Sequence, residues 1–167
     1  MKEQQKKYEL TDEFIIHRSG KKLYRIRALV AFGSVMAGQL GGFVESDKNL
    51  DQLLSSNAWV YDDAKVYGNA WVCGNAQVYG NAQVRSYALI YESKMIFFAS
   101  NVGTENGTLT VFNGKNGLIV TRGCFTGTVN EFLSKSEEVH DDKTKNEYKL
   151  LIEVAKSRIL GVKDERN

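Results

Sequence analysis

A six-residue period runs through the middle of this chain and limits its fold more than any other feature. It reads Trp59-Val60-Tyr61-Asp62-Asp63-Ala64, Lys65-Val66-Tyr67-Gly68-Asn69-Ala70, Trp71-Val72-Cys73-Gly74-Asn75-Ala76 and Gln77-Val78-Tyr79-Gly80-Asn81-Ala82. An aliphatic residue recurs at 60, 66, 72, 78, 84, 90 and 96, and a small one two places earlier from Ala58 to Ala88, ending at Lys94. Strand residues alternate faces, so each alanine and the aliphatic residue two places on point the same way. The Gly-Asn pair between repeats accepts a sharp corner with positive φ. A helix is excluded, because six is not a helical period and a glycine in every turn would melt it. Three short strands then make one triangular turn of chain, and stacked turns bury a column of Val and Ile with Ala at the corners.

A three-sided turn returns to the same side at every third repeat, which sorts the outward side chains. One side carries Trp59, Tyr61, Gln77, Tyr79, Met95 and Phe97, the second Trp71, Cys73, Leu89 and Tyr91, and the third Lys65, Tyr67, Gln83 and Arg85. The first two are too apolar to stand in water as contiguous patches. Three readings follow: helices cover one side and a second subunit the other, or the rings stack a planar ligand with Arg85 or Lys65 at the edge, or they meet a host protein. The third side is expected to face water. Cyclic symmetry, a dimer or a trimer, is the simplest assembly.

The flanks read differently. Segments 7–18 and 21–30 are β-rich and joined by Ser19-Gly20, a hairpin signal. Val44 and Leu50 keep the six-residue spacing, but the phase slips by four before Val60, which predicts a loop. Further strands are expected over 95–102, 108–113 and 117–122. Thr128-Val129-Asn130-Glu131 is a capping box opening a helix to about His140, and a second helix over about 143–160 carries Tyr148, Leu151, Ile152, Ala155 and Ile159 as its apolar stripe, stopped by Gly161. The expected organisation is a hairpin cap over 1–34, the repeat over 35–100, a β-hairpin over 101–127 and a helical pair over 128–167. Open repeat ends expose strand edges, so the two flanks are the candidate caps.

Composition narrows the chemistry. A net charge of +2 gives no support for binding long nucleic acid, and no run approaches the roughly 18 apolar residues of a membrane span. With no signal-like start and two cysteines at no metal-ligand spacing, a cytoplasmic protein without a metal or cofactor is expected. His17 lies in an expected strand and His140 at an expected helix end. Cys73 has no basic neighbour in sequence to activate it. The stretch Gly123-Cys124-Phe125-Thr126-Gly127-Thr128 leads into a helix start, whose free N–H groups attract anions.

The repeat resembles the left-handed parallel β-helix of the hexapeptide family, whose pattern is aliphatic, any, Gly, Asn or another small polar residue, then Ala. That resemblance implies a mainly β fold: a short left-handed parallel β-helix with an N-terminal β-hairpin, a C-terminal β-hairpin and two C-terminal α-helices. Many hexapeptide proteins are acyltransferases using a histidine on or beside the coil as general base. Neither histidine here lies within the repeat, so that residue is carried over to no position.

Taken whole, the chain resembles small phage and prophage hexapeptide-repeat proteins, sometimes labelled polymer-forming. The likeness rests on Tyr8-Glu9-Leu10-Thr11-Asp12, Leu23-Tyr24-Arg25-Ile26-Arg27-Ala28, Leu40-Gly41-Gly42-Phe43-Val44-Glu45-Ser46 and the Gly123–Thr128 segment. The resemblance gives no reaction, but phage accessory proteins often act in counter-defence. With the aromatic sides, the Arg and Lys around them and the anion-ready helix start, the expectation is a non-enzymatic, homo-oligomeric binding protein in an infected bacterium that sequesters a nucleotide-like immune signal. An inhibitor of a host defence protein and an acyltransferase, with His17 or His140 as base, are the alternatives. The expected ligand residues are the cations Arg25, Arg27, Arg85 and Arg122, the rings Trp59, Tyr67, Trp71 and Tyr79, and Thr126 and Thr128 at the helix start.

Overall fold

The computed structural model describes residues 5–161, so residues 1–4 and 162–167, the outer ends of the first and last expected segments, lie outside the described residues. The chain is mainly β, with several sheets and two C-terminal helices, and divides into two compact units, Met1–Ser93 and Lys94–Asn167. Among the described residues, no helix is long and apolar enough to cross a membrane.

The first unit opens with β1 (Tyr8–Ile16) and β2 (Lys22–Ala28), antiparallel from Tyr8↔Ala28 to Ile16↔Lys22. The expected hairpin is therefore present, and Gly20 at φ 87° supplies its turn. Strand β3 (Leu40–Val44) continues the sheet beside β2. Six two-residue strands follow at six-residue intervals: β4 (Trp59–Val60), β5 (Lys65–Val66), β6 (Trp71–Val72), β7 (Gln77–Val78), β8 (Gln83–Val84) and β9 (Leu89–Ile90). Each of the first three pairs in parallel with the strand three repeats on, as Trp59↔Gln77, Lys65↔Gln83 and Trp71↔Leu89. Upstream the offset is longer by four, seen in Phe43↔Lys65 and Leu50↔Val72, so the extra residues lie between Leu50 and Trp59. This is the loop that the phase slip requires.

The alternation rule holds along the repeat: Ala58 through Ala88 and Val60 through Ile90 at six-residue steps are all buried. Between them, positions 62, 68, 74, 80 and 86 all have positive φ, from 55° at Asp62 to 69° at Gly68. Glycine fills three of these places without strain, whereas Asp62 and Ser86 carry a Cβ into the left-handed region. Asp62 gains a partial return, since its Oδ2 accepts the Gly80 N–H at 2.9 Å.

Side chains close the upper edge of the repeat, where main-chain carbonyls lack a strand above them. Lys7 Nζ donates to Ala58 O at 2.8 Å and Ser56 O at 3.3 Å, and Tyr8 Oη to Leu50 O at 2.6 Å. Asn49 Nδ2 donates to Ala70 O at 3.0 Å and Gly68 O at 3.2 Å. Burial drives the Lys7 ammonium down to about 8 against the opposing pull of Asp51.

The second unit corrects two expectations. Residues 96–100, read as the end of the repeat, belong to β10 (Ile96–Val102), an antiparallel strand beside β11 (Gly107–Gly114). The reason is local: Lys94 breaks the alanine column, and Met95-Ile96-Phe97-Phe98 is too bulky throughout for a turn that needs a small corner residue. The expected hairpin after residue 100 is part of a four-stranded sheet, completed by β12 (Gly117–Arg122) and β13 (Phe125–Thr128). Helix α1 (Val129–Val139) starts on the foreseen capping box, and α2 (Asp142–Leu160) buries Tyr148, Ile152, Ala155 and Ile159. These four join Leu109, Val111, Val120 and Phe132 in one apolar cluster.

Candidate binding surface

Because the repeat pairs in register, outward residues stack in columns, and each column can be followed to what covers it. Lys65, Tyr67, Gln83 and Arg85 were expected to face water; in the structure they continue the columns of Phe43 and Glu45, with Lys65 and Gln83 half-buried and the other two enclosed. Tyr67 is 3% and Arg85 9% exposed, because the end of the β1–β2 hairpin lies on them and Leu23, Phe43 and Tyr67 pack together with Ile15 alongside. His17, at the end of the hairpin, sets Nε2 3.2 Å from Tyr67 Oη and 3.4 Å from Gln83 Oε1, while Nδ1 lies 2.9 Å from Ser19 Oγ. Arg85 donates to Tyr67 Oη at 2.6 Å and to Gln83 Oε1 at 3.0 Å. Burial first, then the positive charges of Arg85, Arg18 and Lys65, hold the His17 imidazole below its ordinary value, against the pull of its Gln83 contact. A neutral, enclosed imidazole with partners on both nitrogens makes a clasp between hairpin and repeat. The sequence alone had placed His17 away from the repeat; chain folding brings it against the outer wall.

The column holding Trp59 and Gln77 also departs from expectation. Trp59 is fully enclosed, with ring centroids 5.3 Å from Phe32 and 6.1 Å from Tyr8, both edge-on, so it offers no face to a ligand. Beside it Tyr61 and Tyr79 stack at 4.4 Å with planes 11° apart, and Tyr79 keeps an open outer face. The last column, Trp71 over Leu89 and Cys73 over Tyr91, is the open one: Trp71 and Cys73 are half-buried and Leu89 and Tyr91 exposed. Burial, followed by the nearby Asp51 carboxylate, pushes the Cys73 thiol up, which disfavours the thiolate a nucleophile needs.

The remaining expected ligand residues are dispersed. Arg25 lies 2.9 Å from Glu13 and 3.3 Å from Asp63, donates to Gly41 O at 2.7 Å and covers the Phe43 ring at 4.3 Å. Arg27 pairs with Glu9. Both guanidinium groups are thus committed to the first unit's own carboxylates. Arg122, Thr126 and Thr128 lie in the second unit, where Arg122 Nε donates to Tyr148 Oη at 2.9 Å. The helix start already holds an anion of its own. Glu131 Oε1 accepts the Thr128 N–H at 2.9 Å, and that contact holds the Glu131 carboxyl below its usual value. With 125–128 paired as a strand, the stretch read as an anion-ready approach is sheet edge. His140 is likewise partnered, its Nδ1 2.9 Å from Ser136 Oγ.

One cleft that sequence reasoning missed lies in the first unit. It encloses about 560 Å³ and is lined by Lys21, Glu45, Ser46, Lys48, Gly68, Asn69 and Ala70. Lys21 comes from the hairpin, Glu45 to Lys48 from the turn after β3, and Gly68 to Ala70 from the turn after β5. No local pattern in the sequence joins these three segments; only the pairing of β2 with β3 and of β3 with β5 does. Compared with known proteins, the chain matches no family model and no curated protein.

Proposed function

We propose that the repeat winds as a left-handed parallel β-helix and that the protein is a non-enzymatic, homo-oligomeric binding protein built on it. Parallel pairing of β4, β5 and β6 with the strands three repeats on, with a positive φ at every sixth residue from 62 to 86, supports the winding. One observation carries the functional reading. On the open column Leu89 and Tyr91 are 40% and 43% exposed, and half-buried Trp71 is paired in register over Leu89. Three large side chains carried outward on a β surface form an apolar patch of the kind that marks a contact with another molecule. A second copy of the chain is the occupant proposed here, in a dimer or trimer.

In the phage setting that the sequence resembles, such an assembly works in the cytoplasm of the infected cell. It lowers the free level of a nucleotide-like host signal by holding it, with no chemical step. Native mass spectrometry of the full chain tests the reading. Oligomers are expected for the wild type and monomers for the Leu89→Lys/Tyr91→Lys double variant. A wild type that stays monomeric at tens of micromolar would sink it. The same patch also suits an inhibitor that docks on a host defence protein, for which a stoichiometric complex with one bacterial protein, lost in the double variant, is the expected result.

A further inference from the structure

The cleft between the hairpin and the turns after β3 and β5 has a lopsided supply of hydrogen-bonding groups. Its one carboxylate is spent: Glu45 Oε1 accepts the Gly68 N–H at 2.8 Å, and Oε2 sits 3.2 Å from Lys21 Nζ. The carbonyls of Gly68 and Ala70 are taken by Asn49 Nδ2. Asp47, beside the cleft, does not line it and accepts from Gln52 Nε2 at 3.4 Å. The donors are in the opposite condition. Among the described residues Lys48 makes no ion pair, and its own N–H, donated to Ser46 Oγ at 3.2 Å, leaves the Ser46 hydroxyl proton free to point elsewhere. Lys21 has two further ammonium protons, and the exposed Asn69 amide adds two more. Two ammonium groups face one neutralised carboxylate.

A cleft with two ammonium groups and a single carboxylate already engaged by Lys21 and the Gly68 N–H favours an anionic ligand. The volume of about 560 Å³ admits a small molecule. A ring also stands close by. Gly68 overlies Ser86, the Cβ position of the glycine lying 3.3 Å from Ser86 N, so Asn69 stands one strand spacing above Tyr87, whose ring is exposed.

We infer that this cleft binds a small phosphate- or carboxylate-bearing molecule with a flat ring, its anionic end between Lys48 and Lys21 and its ring on Tyr87. The assignment rests on the binding-protein reading above and names the ligand class and the place. Lys48 is the discriminating residue, because Lys21 is already shared with Glu45. Both ammonium groups are solvent-accessible, so added salt weakens the complex.

Calorimetry on the full chain tests it, with inorganic phosphate and adenosine monophosphate as separate probes. The nucleotide is expected to bind more tightly than phosphate. Lys48→Glu should weaken both at least tenfold, and Lys48→Arg should restore most of the affinity. Tyr87→Ser should weaken the nucleotide alone, by about three- to tenfold. Absence of heat from either probe at millimolar concentration overturns the site, as does a Lys48→Glu variant that binds like wild type. Equal nucleotide affinity in Tyr87→Ser overturns the ring's placement. Lys48, Lys21 and Tyr87 lie outside the patch of Trp71, Leu89 and Tyr91, so a failed titration alongside intact oligomers removes this site and leaves the assembly reading standing.

Discussion

Tyr67, Tyr79 and Tyr91 occupy the same place in the six-residue unit, immediately after the buried aliphatic residue, yet their surroundings are opposite. Tyr67 is enclosed by the hairpin end, with Arg85 and His17 on its hydroxyl, whereas Tyr79 and Tyr91 face out. Local geometry directs all three rings outward. What separates them is a contact made across 50 residues, from His17 to Tyr67. In a repeat of this kind the inward positions are fixed by alternation, and the outward ones take their role from whatever the rest of the chain lays upon them.

The largest test of that contrast strikes the frame common to both sides. Gly74 has φ 62°, and a Cβ there would lie 2.5 Å from Tyr91 O. Gly74→Ala should therefore cost about 2–4 kcal/mol, combining left-handed strain with a main-chain clash. Urea denaturation followed by circular dichroism reads the loss, and a change below about 0.5 kcal/mol would contradict the packing described.

The contrast itself is tested by a pair of hydroxyl deletions. Tyr67→Phe strips Arg85 and His17 of a partner in an enclosed setting and should cost about 1–3 kcal/mol. Tyr91→Phe, on the open side, should stay within about 0.5 kcal/mol. Equal losses would mean that the hairpin does not discriminate the two sides.

A pH series sharpens the same point. His17 is held below its ordinary value in the folded chain, so the unfolded chain takes up its proton first as pH falls. The stability associated with a neutral His17 is complete above the unfolded value of about 6.5 and is lost as pH falls through it toward the folded value. His17→Gln should flatten that part of the profile between pH 7 and 5. An unchanged slope would place the sensitivity elsewhere.

The smallest expected effect is a gain. Ser86 carries a Cβ at φ 67°, where Gly68, Gly74 and Gly80 serve the equivalent positions. Ser86→Gly should relieve that strain and stabilise the chain by about 0.5 kcal/mol, net of the greater freedom glycine brings to the unfolded state. A loss in the melting experiment would show that the serine side chain contributes more than its strain costs.

Much of the frame was legible in advance, for a physical reason. Ala64, Val66, Ala70 and Val72 declare their orientation through size and spacing alone, and Thr128 with Glu131 declares a helix start through two short-range hydrogen bonds. The slip of four after Leu50 was legible too, because register is arithmetic. The site residues were harder. Nothing near Trp59 reveals that Phe32 and Tyr8 close over it, and nothing near Arg85 reveals the hairpin above. Strand β13 was hidden because Phe125-Thr126-Gly127-Thr128 has too little apolar alternation to signal an edge strand by itself. Lys21 and Lys48 share a cleft only after β2 has paired with β3, and Gly68 joins them only after β3 has paired with β5, facts about topology that composition does not carry.

The pairing of β4, β5 and β6 with the strands three repeats later also sets a rule for changes in length. Inserting or deleting three whole repeats adds or removes one set of three strands and leaves every later side chain over the same neighbour. One repeat or two would hand the following segment to a different side, and a fraction of a repeat would need a bulge like the four-residue one before Trp59. Viable length variants of this protein should therefore cluster at steps of three repeats, with shorter steps accompanied by changes at the positions that the hairpin covers.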